Sequence, residues 1–184
     1  MPIFVSMLKG INVGPHHRIK MDDLRQVYAS LQFKNPRTFI QSGNVIFQTR
    51  EKNPIKLSKQ IQDALEARFG FRPEVVNRTL EEMKTALAAN PFAKRKDIEP
   101  DKLLITFLSS APPPGARHTL DSLKHHPEEI HPIGRELYIY FPNGAGKTKL
   151  PWSQMERLLK VTGTARNLNS VEKMIALAQE IAEL

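Results

Sequence analysis

Apolar residues in the first half of the chain fall into short continuous runs and into positions three or four apart. Short apolar runs rich in β-branched residues predict buried strands, whereas the wider spacing predicts helices with one buried face. Strands are predicted over 2–8, 38–40, 45–49 and 74–77, and helices over 21–31 and 57–69. The segment Gln41-Ser42-Gly43-Asn44, which separates two of these strands, predicts a hairpin turn.

The second half repeats most of this order of elements. Strands are predicted over 103–108, 128–132 and 136–141, and helices over 79–90, near 120–123, behind Pro151 around 155–159, and over 169–181. The order βαββαβ is typical of a ferredoxin-like fold, in which an antiparallel sheet carries two helices on one face.

The pattern therefore predicts an α+β fold made of two ferredoxin-like, βαββα-type halves with antiparallel sheets, related by tandem duplication. We expect the first half at 1–90 and a linker at 91–101. The second half, with an extra terminal helix, is expected at 102–184.

Composition excludes several classes of chemistry. The chain has 184 residues, of which 40% are hydrophobic, so it can form a core. It contains no cysteine, which excludes disulfides, thiolate nucleophiles and cysteine zinc sites. No run of 18 apolar residues and no signal-like N-terminal segment is present, so we expect a cytoplasmic protein with no membrane partner.

The net charge of +8 favours acidic partners, and it is unevenly distributed. Residues 1–100 contain 17 Lys and Arg against 10 Asp and Glu, a balance of +7, whereas residues 101–184 contain 10 against 9. Part of the excess is the run Lys94-Arg95-Lys96, which we interpret as a solvated part of the linker. The basic first half leaves nucleic-acid binding open as an alternative function.

Four polar segments built from glycine, asparagine and cations are the candidate site. They are Gly10 to Gly14, Gln41 to Asn44, Gly144 to Lys149, and Thr164 to Asn167, which we interpret as loops. Glycine lets the backbone approach a ligand, asparagine tolerates left-handed conformations, and cations placed before helices are favourable when an anion binds there. The candidate ligand-binding residues are Gly10, Asn12, Gly14, Gln41, Ser42, Asn44, Lys147, Lys149, Arg166 and Asn167.

Better-known phosphate motifs do not fit these segments. The spacing of Gly10 and Gly14 lacks the third glycine of a dinucleotide-binding fingerprint. A Walker A loop ending at Lys147 would need a glycine where Phe141 stands, and Pro151 predicts that the next helix begins too late.

Metal, RNA-binding and nucleophile signatures are also incomplete. The pairs His16-His17 and His125-His126 have no carboxylate at ligand spacing, so neither a metal nor a cofactor is predicted. The strand over 3–8 is similar to an RNA-contact strand of an RNA-recognition motif, but residues 43–47 lack the paired aromatic residues. Ser42 lacks the context of an activated serine, and whether the protein is an enzyme stays open.

Taken in order, the segments 8–14, 40–45, 144–150 and 164–167 resemble the motifs of the DUF1697 family of small, mainly bacterial proteins. The resemblance implies an α+β architecture of two ferredoxin-like halves, and it implies no activity, because the family has none assigned. The chain departs from the family pattern at Pro15, where a second glycine is frequent, and at Leu168, where an aromatic residue is frequent.

We therefore expect the polar segments to line a cleft between the two halves that binds a phosphate-bearing or carboxylate-bearing small molecule. Two alternatives from other classes are a nucleic-acid-binding protein and a non-catalytic interaction module. Neither the identity of the ligand nor the oligomeric state follows from the sequence.

Overall fold

Two four-stranded antiparallel sheets, each accompanied by helices, make up the protein. The computed structural model describes residues 1–123, 127–150 and 152–183. The first set of elements is β1 (Ile3–Leu8), α1 (Met21–Ser30), β2 (Lys34–Phe39), β3 (Asn44–Gln48), α2 (Pro54–Phe69), β4 (Val75–Thr79) and α3 (Leu80–Ala88). The second set is β5 (Leu103–Leu108), α4 (Ala116–Asp121), β6 (Glu129–Ile133), β7 (Glu136–Tyr140), α5 (Trp152–Leu159), β8 (Gly163–Asn167) and α6 (Leu168–Ala182).

The two sheets have the same topology. Their strand orders are β2-β3-β1-β4 and β6-β7-β5-β8, and every pairing is antiparallel. This arrangement confirms the predicted α+β fold with two ferredoxin-like halves. Within the described parts of the chain, no helix is long and apolar enough to cross a membrane.

The chain divides into two compact units, one formed by residues 1–85 with 173–184 and the other by residues 86–172. The end of α6 therefore groups with the first unit, whereas the sequence placed it with the second half. Within the first unit, Arg37 Nη1 on β2 lies 2.9 Å from Glu180 Oε2 on α6, and Gln48 donates to the Ile181 carbonyl oxygen at 3.5 Å.

The core of the first unit lies between one face of its sheet and helices α1 and α2. Phe4, Val45 and Phe47 contribute from the strands, and apolar residues at helical spacing contribute from α1 and α2. The residues that α1 and α2 bury there are Leu24, Val27, Tyr28, Leu57, Ile61 and Leu65. Asn53 caps the start of α2 by accepting from the amides of Ile55 and Lys56, and Gly70 ends it in a left-handed conformation.

The second unit repeats this design with one strand that the sequence pattern missed. Its core joins Leu137, Ile139 and Phe141 to Leu120 of α4 and Met155 of α5. The segment 164–167 was predicted to be a polar loop, and this was wrong: it forms most of β8 and pairs with β5. Its few apolar residues hid the strand, although Thr164 and Arg166 are buried. Pro151 and the pair His125-His126 lie outside the described residues.

The segment predicted as a linker, 91–101, belongs to the second unit and packs within it. Phe92 is buried and lies 5.1 Å from His131 and 6.1 Å from Tyr140, measured between ring centroids. Arg95 pairs with Asp97 and lies over the Phe92 ring, and it also pairs with Glu129 of β6. The middle of the basic run thus has carboxylate partners.

The turn between β2 and β3 depends on Gly43, and this generates a stability prediction. Gly43 has φ +81°, and a Cβ there would lie 2.7 Å from Ile11 Cδ1 and 2.9 Å from Leu8 Cβ. Gly43→Ala should therefore lower the free energy of unfolding by about 2–5 kcal/mol, from left-handed strain and overpacking. Gly10→Ala is the control, because its φ is +73° but its Cβ would meet nothing within 4 Å.

Gly10→Ala should cost only about 1–2 kcal/mol, the left-handed strain alone. Urea unfolding of both variants measures the difference. Equal losses would show that the space around Gly43 adjusts at no cost.

Candidate anion-binding site

The first two polar loops are held together by the side chain of Asn12. Its Nδ2 donates to the carbonyl oxygens of Ile19, at 3.0 Å, and of Gln41, at 2.8 Å. Its Oδ1 accepts from the amide of Ile19 at 2.9 Å. Asn12 of the segment 10–14 thus contacts the segment 41–44, and its carboxamide is engaged in this contact.

Asn44 and Ser42, in the second of these loops, also make internal hydrogen bonds. Asn44 is fully buried, and its Nδ2 donates to the carbonyl oxygen of Phe39 and to Ser42 Oγ, both at 3.0 Å. The Gln41 side chain is exposed, and the Leu8 amide donates to the carbonyl oxygen of Gly43 at 2.8 Å. Asn44 and Ser42 thus fix the turn that joins β2 to β3.

The glycine-lysine segment of the second unit forms a 3-10 turn at Ala145–Lys147. Lys147 and Lys149 are exposed, and within the described ranges neither has a carboxylate partner. Thr148 Oγ1 donates to Glu128 Oε1 at 2.6 Å and accepts from the Leu150 amide. The described part of α5 begins at Trp152, several residues after the Lys147-Thr148 pair, so the segment lacks the helix start that a Walker A loop requires.

Arg166 and Asn167 lie at the end of β8, and both side chains make hydrogen bonds within the protein. Arg166 is only 8% exposed, and its Nη1 donates to Thr164 Oγ1 and to the Ala165 carbonyl oxygen, both at 2.8 Å. Burial lowers the pKa of Arg166 to about 10, so the guanidinium still carries its charge at neutral pH. Asn167 Oδ1 accepts from the Ser170 amide at 2.8 Å and caps the first turn of α6.

A second buried arginine occupies the equivalent position of the first unit, and sequence reasoning missed it. Arg78 on β4 faces Val5 on β1, just as Arg166 on β8 faces Ile105 on β5. Arg78 is 1% exposed, and its Nη1 donates to the Asn77 carbonyl oxygen at 3.1 Å. The only available signal was the order of an arginine, a small capping residue and a leucine in both halves.

A cleft of about 610 Å³ in the first unit was also missed. Its lining residues are Met1, Ala29, Leu31, Gln32, Phe33, Lys34, Thr49 and Arg50, and we call it the β2 cleft. Lys34 and Arg50 are exposed, and among the described residues neither is paired with a carboxylate. These residues come from three parts of the chain: the N-terminus, the segment that joins α1 to β2, and the segment that follows β3.

The end of α1 explains how the β2 cleft is shaped. The amide of Phe33 donates to the Tyr28 carbonyl oxygen and that of Gln32 to the Ala29 carbonyl oxygen, which is the Schellman pattern of helix termination. Gln32 therefore takes φ +62°, a position that usually holds glycine. The left-handed Gln32 turns the chain sharply, and the rings of Phe33 and Tyr28 then contact edge to face with centroids 6.0 Å apart. Lys34 follows this turn and lines the cleft.

A buried polar cluster joins β1, β4 and α2, but it contains no side chain that could act as a general base. Ser6 donates to Asn77 Oδ1, and Asn77 Nδ2 donates to Ser58 Oγ at 2.9 Å. Ser6 and Asn77 are inaccessible to a substrate, and an amide cannot activate a hydroxyl as a general base does. Across the described ranges, no three His, Asp or Glu side chains gather in a geometry that could hold a metal ion.

Comparison with known proteins fixes the family. The family model for a protein of unknown function (DUF1697) matches residues 1–138. The chain belongs to the DUF1697 family. The match includes the polar loops 10–14 and 41–44, while the segments 144–150 and 164–167 lie beyond it.

No curated protein matches this DUF1697 chain. Among solved structures it is similar to the conserved bacterial protein SP0830 from Streptococcus pneumoniae, with a TM-score of 0.77 and 19% sequence identity. The similarity covers 97% of this chain and 99% of the other. At this level of identity the likeness shows a shared fold, and it assigns no ligand.

The surroundings of Arg166 predict a loss of stability when this residue is truncated. Arg166→Ala removes the hydrogen bonds to Thr164 and Ala165, among others, and leaves a cavity, so the free energy of unfolding should fall by roughly 2 kcal/mol or more. Arg157→Ala, on the exposed face of α5, should change it by less than about 0.5 kcal/mol. Urea unfolding of the two variants is the measurement, and equal stability would contradict the structural role of Arg166.

Proposed function

We propose that this protein binds a small anionic ligand, bearing a carboxylate or a phosphate together with an apolar part, in the β2 cleft. The observation that carries the proposal is the pairing of two cations with an apolar wall in one cleft of the first unit. Lys34 and Arg50 supply the cations, and Leu31 and Phe33 supply apolar surface.

The charges of the first unit support a ligand of this kind. Some of its exposed cations are neutralised locally, as in the pairs Lys56 with Glu51 and Lys59 with Asp63. Lys34 and Arg50 are not in such pairs, since no described carboxylate lies within ion-pairing distance of either. Two uncompensated positive charges beside one cleft attract an anion and would become neutralised when it binds.

The remaining lining of the β2 cleft sets the expected shape of the ligand. Gln32 is exposed at the rim and offers both a donor and acceptors, which can orient a polar group. The apolar wall favours a ligand whose body is aliphatic or aromatic, since burying that surface contributes about 25 cal/mol per Å². A carboxylate with a hydrocarbon body satisfies both requirements, and so does a phosphate ester with an apolar moiety.

The polar segments that the sequence singled out stay as a prediction for a second anion-binding surface. The β2 cleft is the better-supported position, because Asn12, Asn44 and Asn167 use their side chains within the protein. Lys147 and Lys149 keep free ammonium groups within the described chain, so they are the strongest members of the original set. A cytoplasmic location also stays a proposal.

The proposal is tested by ligand-induced thermal stabilisation. The melting temperature of the full chain, with any tag at the C-terminus because Met1 lines the cleft, is measured against a medium-chain fatty acid, an aromatic carboxylate, inorganic phosphate and a nucleoside monophosphate. A ligand that binds only the folded state raises the melting temperature in a saturable way. The variant Lys34→Gln/Arg50→Gln should raise the dissociation constant for that ligand roughly tenfold or more, because it loses charge-assisted contacts.

The matched control is Arg157→Gln/Lys160→Gln, which removes the same charge from an exposed part of the second unit. Its dissociation constant should equal that of the wild type. Equal weakening in both double variants would show a general charge effect and would refute a specific site. If none of the four compounds raises the melting temperature, the small-ligand function is rejected.

Salt dependence separates this function from the nucleic-acid alternative. Binding to an oligonucleotide should weaken steeply as salt rises, in proportion to the number of phosphates contacted, and should tolerate many sequences. A small ligand in the β2 cleft should show a much shallower dependence, because only two cations contact it. Fluorescence anisotropy with a labelled oligonucleotide at several salt concentrations distinguishes the two.

A further inference from the structure

Two exposed aliphatic side chains lie in the loops that follow β1 and β2. Val13 in the first polar loop is 74% exposed, and Ile40 in the turn between β2 and β3 is 49% exposed. Neither residue belongs to the core of its unit. An aliphatic side chain exposed to this extent leaves apolar surface in water, which association with another surface would cover.

The Asn12 carboxamide brings the backbone at these two residues close to the backbone at two cations. It hydrogen bonds to the backbone of Ile19 and of Gln41, so Asn12, Ile19 and Gln41 meet at one point. Val13 and Ile40 are direct neighbours of Asn12 and Gln41, and Arg18 and Lys20 flank Ile19. Since consecutive Cα atoms are about 3.8 Å apart, all four backbones lie close to the same junction.

The two cations are available for a partner. Arg18 and Lys20 are exposed, and no described carboxylate is paired with either of them. We call the set Val13, Arg18, Lys20 and Ile40 the loop-tip surface.

Ile40 is also held in an unfavourable backbone conformation. Its φ is +49°, a region that β-branched residues avoid and that asparagine and glycine adopt more readily. An exposed isoleucine at this position helps neither the turn nor the core. Strain of this kind is a reason to look for a role outside the folding of the unit.

We propose that the loop-tip surface docks the protein on a lipid bilayer that contains anionic lipids. Val13 and Ile40 would enter the interfacial region, and Arg18 and Lys20 would contact the lipid phosphates. Aliphatic side chains cannot stack on bases, which disfavours single-stranded nucleic acid. Two apolar residues are also too few for a standard protein interface of about 800 Å² per partner, whereas a bilayer requires no matching shape.

This proposal differs from the expectation of no membrane partner. That expectation rested on the lack of a spanning segment, and peripheral contact needs none. It is independent of the proposed ligand in the β2 cleft, so either can fail without the other.

Vesicle co-sedimentation of the full chain tests the proposal. Vesicles of phosphatidylcholine alone are compared with vesicles of phosphatidylcholine mixed with phosphatidylglycerol. We expect the protein to sediment with the anionic vesicles and to stay in the supernatant with the neutral ones. Both Val13→Ser/Ile40→Ser and Arg18→Gln/Lys20→Gln should lower the partition coefficient for anionic vesicles roughly tenfold.

Two matched controls isolate the loop-tip surface. Ile55→Ser removes the most exposed isoleucine, at 77%, from the first turn of α2, and Arg157→Gln/Lys160→Gln removes two charges elsewhere. Both should bind like the wild type. Ile40→Asn should bind less while its melting temperature rises, because asparagine tolerates the left-handed conformation and is more polar.

Three results would overturn the proposal. One is an absence of sedimentation with anionic vesicles. Another is binding that the control variants reduce as much as the loop-tip variants do, which would show attraction by net charge alone. The third is unchanged vesicle binding by both loop-tip variants, including after circular dichroism has confirmed that they are folded.

Discussion

Left-handed backbone conformations at the two ends of β2 shape both of the surfaces proposed to bind a ligand or a membrane. At the start of the strand, Gln32 and Asn35 have positive φ, and at its end Ile40 does. None of these residues is glycine, so each left-handed conformation is energetically unfavourable by itself. Contacts with the surrounding structure must stabilise it. The turn at Gln32 exposes Lys34 at the β2 cleft, and the turn at Ile40 exposes an aliphatic side chain beside the Asn12 junction. β2 is an edge strand with Pro36 and an irregular register, features that also protect an edge from pairing with another chain.

Polar side chains in a loop can serve a ligand or the loop itself, and sequence does not distinguish the two. Asn12, Asn44 and Asn167 were all predicted to be ligand-binding residues, and the structure engages each of them in a turn or a helix cap. The reason is geometric. A carboxamide has the size and the donor and acceptor pattern of a peptide group, so it readily replaces a missing backbone hydrogen bond. Lysine cannot do this as well, which is why Lys147 and Lys149 remain exposed.

The elements with a strong hydrophobic period were predictable, and those defined by long-range packing were not. The buried faces of α1 and α2 follow from residues such as Leu24 and Leu57, whose spacing matches one side of a helix. β8 was missed because Thr164, Ala165 and Arg166 look polar in sequence, and only pairing with β5 makes them a strand. The β2 cleft could not be predicted, since Leu31, Lys34 and Arg50 come together only after α1 ends in its left-handed turn.

The two buried arginines show how the repeated fold constrains chemistry. Arg78 and Arg166 occupy the same register in their own sheets, and each donates to a neighbouring backbone carbonyl oxygen. Burying a guanidinium is unfavourable unless its N–H donors are hydrogen bonded. The hydrogen bonds of Arg78 and Arg166 are therefore needed within the protein. A buried arginine that donates to backbone carbonyl oxygens cannot also neutralise a ligand without losing those hydrogen bonds. Binding chemistry is therefore expected among the exposed, unpaired cations, and in the first unit these include Lys34 and Arg50 at one end of β2 and Arg18 and Lys20 beside the turn at the other.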